Sequence, residues 1–382
     1  MIRRLTVSNY RSLGDQVTVD FGALTALVGP NGSGKSNVAD VLRFVSDAMH
    51  TGLSGAITQR HGIGAVRRWS GGRPFNVCIQ LDLGLPGGSA SYRFELNGDS
   101  SEEYRVANEE ALVLTNGGQS RFRVEAGRWI DGPAGLSPTV DERSLALPLV
   151  GGDARFQPLV HELQQIAIYS IFPDSLRAPQ RYNSDKPMDR HGTNWASILK
   201  DQSEESWKPE LVAALQQVAG DTLDIQVAQA AGYLVVQFLH GAVPMDRRNG
   251  HPAEKWVDAG QESDGTLRAA GIVTALLQEP PLPFLGIEEP ELTIHPGAIP
   301  LLYDFLRQAS HRGQVLVTTH SAELLDLLDA SDVRVVHRGE NGTTVRAVAA
   351  NQMDAVKRGL LSLGDVLRTE GLQQDLAPAV GE

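Results

Sequence analysis

The chain has 382 residues, with 34 basic against 46 acidic side chains and a formal net charge of −12. That balance argues against a protein that coats nucleic acid broadly, though not against a local basic face. An apolar share of 41% is enough for globular cores, and the single cysteine, Cys78, excludes a disulfide framework or a Cys-based zinc site within one chain.

The start, Met1-Ile2-Arg3-Arg4-Leu5, lacks the apolar stretch of a signal peptide, and no run is long enough to span a membrane. The expectation is a cytoplasmic chain with no membrane partner. Arg4-Leu5-Thr6-Val7 and Val17-Thr18-Val19-Asp20-Phe21 alternate as strands of a hairpin leading to the buried run Leu24-Thr25-Ala26-Leu27-Val28.

That run ends at Gly29, Pro30, Asn31, Gly32, Ser33, Gly34, Lys35 and Ser36, which fit the phosphate-binding pattern G-x-x-x-x-G-K-[ST]. Triphosphate oxygens must be met by backbone N–H groups at close range, so glycines remove the Cβ atoms that would block the approach. Lys35 reaches the β- and γ-phosphates and the Ser36 hydroxyl binds Mg²⁺. From Asn37 a helix follows, with Val38, Val41, Leu42 and Val45 on one face, and its N-terminus adds donors and partial positive charge. Strand, glycine loop and helix stand in the order that ATP binding needs.

From about 52 to 150 glycine is frequent and short alternating runs recur, as in Phe75-Asn76-Val77-Cys78-Ile79, Ser91-Tyr92-Arg93-Phe94 and Arg121-Phe122-Arg123-Val124. This texture predicts antiparallel sheet. Helical patterns follow at Trp195-Ala196-Ser197-Ile198-Leu199 and Pro209-Glu210-Leu211-Val212, then a strand-like Tyr233-Leu234-Val235-Val236. From 263 the chain returns to buried strands separated by helices, which implies a parallel sheet.

The predicted fold is therefore α/β, a P-loop NTPase with a mixed sheet core, an antiparallel β insertion and a helical subdomain. Residues 1–50 and 255–350 form the two parts of the ATPase lobe. The β-rich insertion covers 51–155, the helical subdomain with returning strands 156–254, and a helical tail 351–382, whose last residues, 377–382, are expected to fray.

The second half of the chemistry is Phe284-Leu285-Gly286-Ile287-Glu288-Glu289-Pro290-Glu291. An apolar strand ending in two carboxylates suits Mg-ATP hydrolysis. Glu288 at the strand tip would hold the Mg²⁺ shell with Ser36, and Glu289 would polarise the attacking water. Glu291 reads as an exposed acid or part of a dimer face. Val315-Leu316-Val317-Thr318-Thr319-His320-Ser321 is a buried strand tipped by His320, placed to donate to the γ-phosphate or orient the water. Ser263-Asp264-Gly265-Thr266-Leu267-Arg268 precedes a helix, so Ser263 or Asp264 is either an ordinary N-cap or part of another anion site.

The order P-loop, Ser-Asp-Gly-Thr, Glu-Glu-Pro-Glu, Thr-His-Ser resembles the ABC-type ATPases of the RecF/SMC/OLD group, and most of all the stand-alone ATPases called AAA_21. Asn9-Tyr10-Arg11-Ser12, His191-Gly192-Thr193-Asn194-Trp195 and Glu291-Leu292-Thr293-Ile294-His295-Pro296 add to the likeness. The resemblance implies a homodimer around two ATP molecules. In it Ser263, Asp264 and Gly265 of one copy meet the γ-phosphate held by the other's P-loop. It places His295 in a loop linking the two sites and Arg11 either at a phosphate or on the surface.

No glutamine of the family's Q-loop stands out, Gln180 being the nearest candidate. The stretch from Lys35 to Ser263 has no sustained heptads, so long coiled-coil arms are not expected. Little chain follows His320, which leaves little room for a nuclease domain. The implied activity is an ATP-driven switch in DNA repair or anti-phage defence, acting on DNA or on a nuclease or effector partner. Two clusters are candidates for phosphate contact or plain solvated surface: Arg60, Arg67, Arg68 and Arg73, and Arg177, Arg181, Lys186 and Arg190. The alternatives are the nucleotide-binding subunit of a membrane transporter and a low-turnover ATP sensor for a toxin partner.

Overall fold

A computed structural model describes residues 1–68, 70, 72, 74–100, 102–202, 204–243 and 253–375. The chain divides into two compact units, Met1–Ile166 with Leu328–Glu382, and Ala167–Leu327.

In the first unit, β1 (Ile2–Ser8) and β2 (Val17–Asp20) form the expected hairpin, with Leu5 opposite Val19 and Val7 opposite Val17. All five residues of β3 (Leu24–Val28) are buried, as a strand covered on both faces requires. α1 (Lys35–Thr58) follows the glycine loop and runs further than its apolar spacing predicted, across a kink at Gly52. A single turn, α2 (Ile63–Val66), comes next.

β4 (Val77–Leu85), β5 (Gly88–Asn97), β6 (Arg105–Thr115) and β7 (Gly118–Glu125) are the predicted antiparallel strands, and β8 (Arg128–Asp131) is one more that the sequence reading did not name. β1 pairs directly with β4, so the hairpin and the glycine-rich segment share one seven-stranded sheet. The alternation of β4 buries Val77, Ile79, Leu81, Leu83 and Leu85 on one face. α3 (Leu147–Val150) and α4 (Gln157–Gln164) follow the sheet.

β9 (Ile166–Tyr169) lies in the second unit from its second residue on, followed by α5 (Pro173–Arg177), β10 (Gln180–Arg181), α6 (Trp195–Asp201) and α7 (Glu204–Ala219). β11 (Thr222–Ala230), β12 (Tyr233–Val243) and β13 (Ala253–Asp258) join β10 in a small antiparallel sheet. Every residue of α8 (Asp264–Leu277) from Thr266 onward is buried. β14 (Phe284–Glu288) pairs parallel with β15 (Gln314–Thr319), with Ile287 opposite Val317 and Glu288 opposite Thr318. The crossover helix α9 (Ile299–Ser310) buries Ile299, Leu302, Leu306 and Ala309, one stripe at helical spacing. A turn of helix, α10 (Ala322–Leu325), follows β15.

Back in the first unit, β16 (Val333–Gly339) pairs parallel with β3 and antiparallel with β17 (Gly342–Ala347). That sheet is therefore mixed. The tail forms α11 (Ala350–Lys357) and α12 (Leu363–Thr369), the second opened by a Ser362/Asp365 capping box. Residues 377–382, expected to fray, lie outside the described residues, as does Arg73. The architecture is α/β, a P-loop NTPase fold with a mixed sheet core, an antiparallel β insertion and a helical segment.

Candidate nucleotide site

The loop between β3 and α1 is shaped by two close approaches. A Cβ on Gly29 would lie 2.3 Å from the Val336 carbonyl oxygen, and one on Gly34 would lie 2.5 Å from Thr343 Oγ1, with Gly34 also at φ +110°. Only glycine fits either position. Lys35 is buried and folds back over the loop, its Nζ donating to Gly29 O at 2.7 Å and Pro30 O at 3.2 Å. Pro30, Asn31, Gly32 and Ser36 are exposed. Ser33 Oγ is buried and has no hydrogen-bond partner. A glycine loop with no room for Cβ atoms, one lysine and an orphaned hydroxyl just before a long helix fit a polyphosphate.

Asn37, expected among the nucleotide contacts, is committed elsewhere: its Nδ2 donates to Ser12 Oγ at 2.7 Å. Ser12 Oγ lies 2.8 Å from Thr343 Oγ1, which donates to Ser33 O at 2.7 Å. A polar relay from Asn37 through Ser12 and Thr343 thus braces the loop from behind. Arg11 is held too. Its Nη2 meets Asp40 Oδ2 at 3.0 Å, and Asp40 also takes Tyr10 Oη at 2.6 Å, Arg60 and Arg43. Burial lowers the Arg60 affinity for its proton, but Tyr10 and Asp40 outweigh it and its pKa stands above the usual value.

In the second unit, Glu288 and Glu289 end β14. Glu288 Oε2 accepts from Arg190 Nη2 at 3.1 Å. Glu289 takes a left-handed φ of +45°, its N–H donating to Thr318 O at 2.9 Å, and its Oε1 lies 3.4 Å from His320 Nδ1. The acid expected to polarise water and the histidine expected at the γ-phosphate are therefore neighbours. Arg268, buried on α8, fixes the turn by donating from Nη2 to Glu289 O at 2.8 Å and Glu288 O at 3.2 Å, and from Nη1 to Ile171 O at 2.7 Å. Burial lowers its pKa. The sequence offered no sign of this role beyond a charged residue inside an otherwise apolar helix.

Glu291 corrects an expectation. It is buried, not exposed, and its Oε1 accepts from Thr319 Oγ1 at 2.5 Å and from the His320 N–H at 3.2 Å. A buried acid must find donors, and the tip of β15 supplies two. Gln180 is likewise no free Q-loop residue. Its amide donates to Gly192 O at 2.8 Å and Ser175 O at 3.0 Å, and its oxygen accepts from Ala196 N at 2.8 Å.

Ser263 is the N-cap of α8, accepting from Thr266 N at 3.1 Å. Asp264 is exposed and paired with Arg177 at 2.7 Å. Gly265 has the Thr293 carbonyl oxygen 2.7 Å from where its Cβ would stand, so this helix start admits no larger residue. Just upstream, Glu262 is held by His240, which also faces Asp221 at 3.1 Å; burial works against protonation, but the two acids prevail and raise the histidine's pKa. His295 is exposed and caps the turn after it, accepting from Gly297 N at 3.1 Å.

Among the described residues, members of both basic clusters are buried or meet a ring or an acid. Arg60 and Arg67 are buried, and Arg68 lies over the Phe75 ring. Arg177 pairs with Asp174 and Asp264, Lys186 with Asp201 and Arg190 with Glu288, while Arg181 covers Tyr233.

Comparison with known proteins places these motifs. Residues 1–85 match the AAA_15 family, "AAA ATPase domain", and residues 245–326 match AAA_21, "AAA domain, putative AbiEii toxin, Type IV TA system". A stretch of 45 residues, 12% of the chain, is 49% identical to the chromosome partition protein Smc of Bacillus subtilis and 47% identical to that of Mycoplasma genitalium. The match spans only 4% and 5% of those proteins.

Over 92% of the chain, the fold follows the Smc head bound to the C-winged helix domain of ScpA, at a TM-score of 0.53 and 15% identity, covering 99% of that chain. A second Smc head, with an extended coiled coil and bound to the C-terminal domain of ScpA, derived from Pyrococcus furiosus, matches 94% of the chain at 0.51 and 13% identity, covering 99% of its own length. Residues 1–85 and 245–326 thus match ATPase-domain families, a short stretch is similar to Smc proteins, and the fold is that of an Smc-type head.

Proposed function

We propose that the chain binds Mg-ATP, hydrolyses it slowly, and uses the cycle to open and close a homodimer. The observation that carries this reading is the glycine loop, with Lys35 folded over it, a buried unpartnered Ser33 hydroxyl inside it and no space for a Cβ at Gly29 or Gly34. N–H groups of the loop, those of Asn31, Gly32, Gly34, Lys35 and Ser36 among them, would meet the phosphates, Lys35 would neutralise their charge, and Ser36 and Glu288 would hold Mg²⁺. When bound, the ion screens charge on the phosphate oxygens and organises them for in-line attack. Glu289 takes the proton of the attacking water, with His320 beside it to orient that water or donate to the phosphate. Ser263, Asp264 and Gly265 serve the second copy's nucleotide.

Turnover of the purified chain tests the reading. The wild type hydrolyses ATP slowly, and Lys35→Ala loses both turnover and nucleotide binding. Retention of either by Lys35→Ala would contradict it.

The work done by the switch falls on DNA or on an effector protein, in DNA repair or antiviral defence. With Arg60 and Arg67 buried and Arg177 and Arg190 paired with acids, the effector protein is favoured, and the toxin–antitoxin description of the AAA_21 match points the same way. Duplex binding at two salt concentrations separates the two: no binding at low salt, with or without ATP, removes direct DNA action. Among the described residues no helix is long and apolar enough to cross a membrane.

A further inference from the structure

The segment Asp189 to Trp195 has no task in the proposed ATP cycle. Its construction is that of a mount. Asp189 Oδ1 accepts from the N–H groups of His191 and Thr193, both at 2.9 Å, and its Oδ2 accepts from the Thr193 hydroxyl. Asn194 accepts from Asp189 N at 2.8 Å and donates to the carbonyls of Asp185 and Pro187. His191 Nδ1 lies 2.7 Å from Ser170 O, while Ser170 N donates to Arg190 O at 2.9 Å. Trp195 is fully buried and donates from Nε1 to Thr274 Oγ1 on α8 at 2.9 Å.

What this loop presents is Arg190. Its Nη2 meets Glu288 Oε2 at 3.1 Å, with the acid's side chain 12% exposed and the arginine's 37%. Its Nε is buried and has no partner. An ordinary surface pair gains little and is held by two wandering side chains. Here the base of the arginine is fastened on several sides, and one donor is left over for another oxygen.

We propose that Arg190 is the resident cation of the metal carboxylate: it occupies Glu288 until a divalent cation arrives with nucleotide, and it competes with that ion. The proposal rests on the reading of Glu288 as the Mg²⁺ carboxylate. A guanidinium and a divalent ion sharing one carboxylate repel each other, so the arginine must yield or weaken the ion. Mg²⁺ sheds its waters reluctantly and takes few protein ligands, so it displaces Arg190 only when phosphate oxygens come with it. Without nucleotide, Glu288 is neutralised instead of standing as a largely buried lone charge. Once displaced, Arg190 offers Nη2 and Nε to an anionic oxygen. The fastened loop thus ties metal loading to the position of one side chain.

The test is a Mg²⁺ titration of binding of a fluorescent, non-hydrolysable ATP analogue to the full chain. Arg190→Ala is expected to reach half-saturation at roughly two- to fivefold lower Mg²⁺ than wild type. Arg190→Lys, which keeps the charge but not the fork, should fall between them. In a Glu288→Gln background the Arg190→Ala shift should vanish. Thermal melts of each variant confirm that it is folded. An unchanged or higher Mg²⁺ midpoint in both Arg190 variants, with Glu288→Gln itself raising the midpoint, overturns the role of Arg190 alone. A Glu288→Gln midpoint equal to wild type removes the metal role of Glu288 and this proposal together.

Discussion

Thr343 is fully buried, and one hydroxyl serves both Ser33 O at 2.7 Å and Ser12 Oγ at 2.8 Å. Thr343→Val keeps the shape and removes that brace, leaving the Ser33 carbonyl short of a donor. We expect a loss of about 1–3 kcal/mol in stability and weaker nucleotide binding, read by thermal melting and by titration with a fluorescent analogue. A variant that melts lower but binds nucleotide unchanged would show that the brace serves the fold alone. Glu291→Ala strips partners from the Thr319 hydroxyl and the His320 N–H. It should lower kcat with KM nearly unchanged, because it loosens the histidine without touching the phosphate loop; a change in KM only would contradict this. These residues mark where sequence reading stopped. Gly29 to Ser36 are legible because their chemistry is packed into one contiguous run. Thr343 acts on a loop 310 positions away and Glu291 on one 28 positions away, so nothing local reveals their duties. The partners of the described basic residues were hidden for the same reason: adjacency in sequence says nothing about which acid, ring or core each side chain reaches.

Elements were more legible than residues. β3, β14 and β15 announce themselves as unbroken apolar runs ending in chemistry, because strands covered on both faces bury every side chain. The alternation of β4 to β7 gives an antiparallel sheet directly. What the pattern does not carry is partnership. β1 joins β4 in one sheet, since pairing across distant segments leaves no local signal. The same sheet holds a titratable device. Glu109 on β6 is fully buried and accepts from Ala146 N at 2.5 Å, Leu147 N at 2.9 Å and Tyr92 Oη at 2.9 Å, pinning the start of α3. Burial raises its pKa from 4.5 to about 7 and outweighs the three donors, which pull it down. A carboxyl with a raised folded pKa favours the native state below its unfolded value and loses that contribution as pH climbs to the folded one. Stability should therefore fall between pH 4.5 and about 7, by up to about 3 kcal/mol. Melting curves across that window check it. Glu109→Gln should flatten the slope while lowering the melting point overall, because its NH₂ group faces the Ala146 N–H. A wild-type slope that survives in Glu109→Gln would assign the effect to other groups.

At the scale of the whole molecule, the reading turns on two copies closing around nucleotide. In the run Ser263 to Gly265, Ser263 caps α8, Asp264 is exposed and Gly265 is kept bare of a Cβ by the Thr293 carbonyl. In the proposed dimer that surface would face the second copy's nucleotide. Glu289→Gln retains the shape of the acid tip but cannot take a proton, so it should hold ATP unhydrolysed and accumulate the dimer in light scattering with saturating Mg-ATP. Charge adds a sign that separates this from DNA binding. Each copy carries a net charge of −12, so two copies repel, and added salt screens that repulsion. Dimer formation by Glu289→Gln should strengthen as salt rises from low to physiological, whereas any contact with DNA phosphates must weaken over the same range. If Glu289→Gln stays monomeric with saturating Mg-ATP at every salt concentration while still binding nucleotide, the chain works as a single copy and the task assigned to Ser263, Asp264 and Gly265 is wrong.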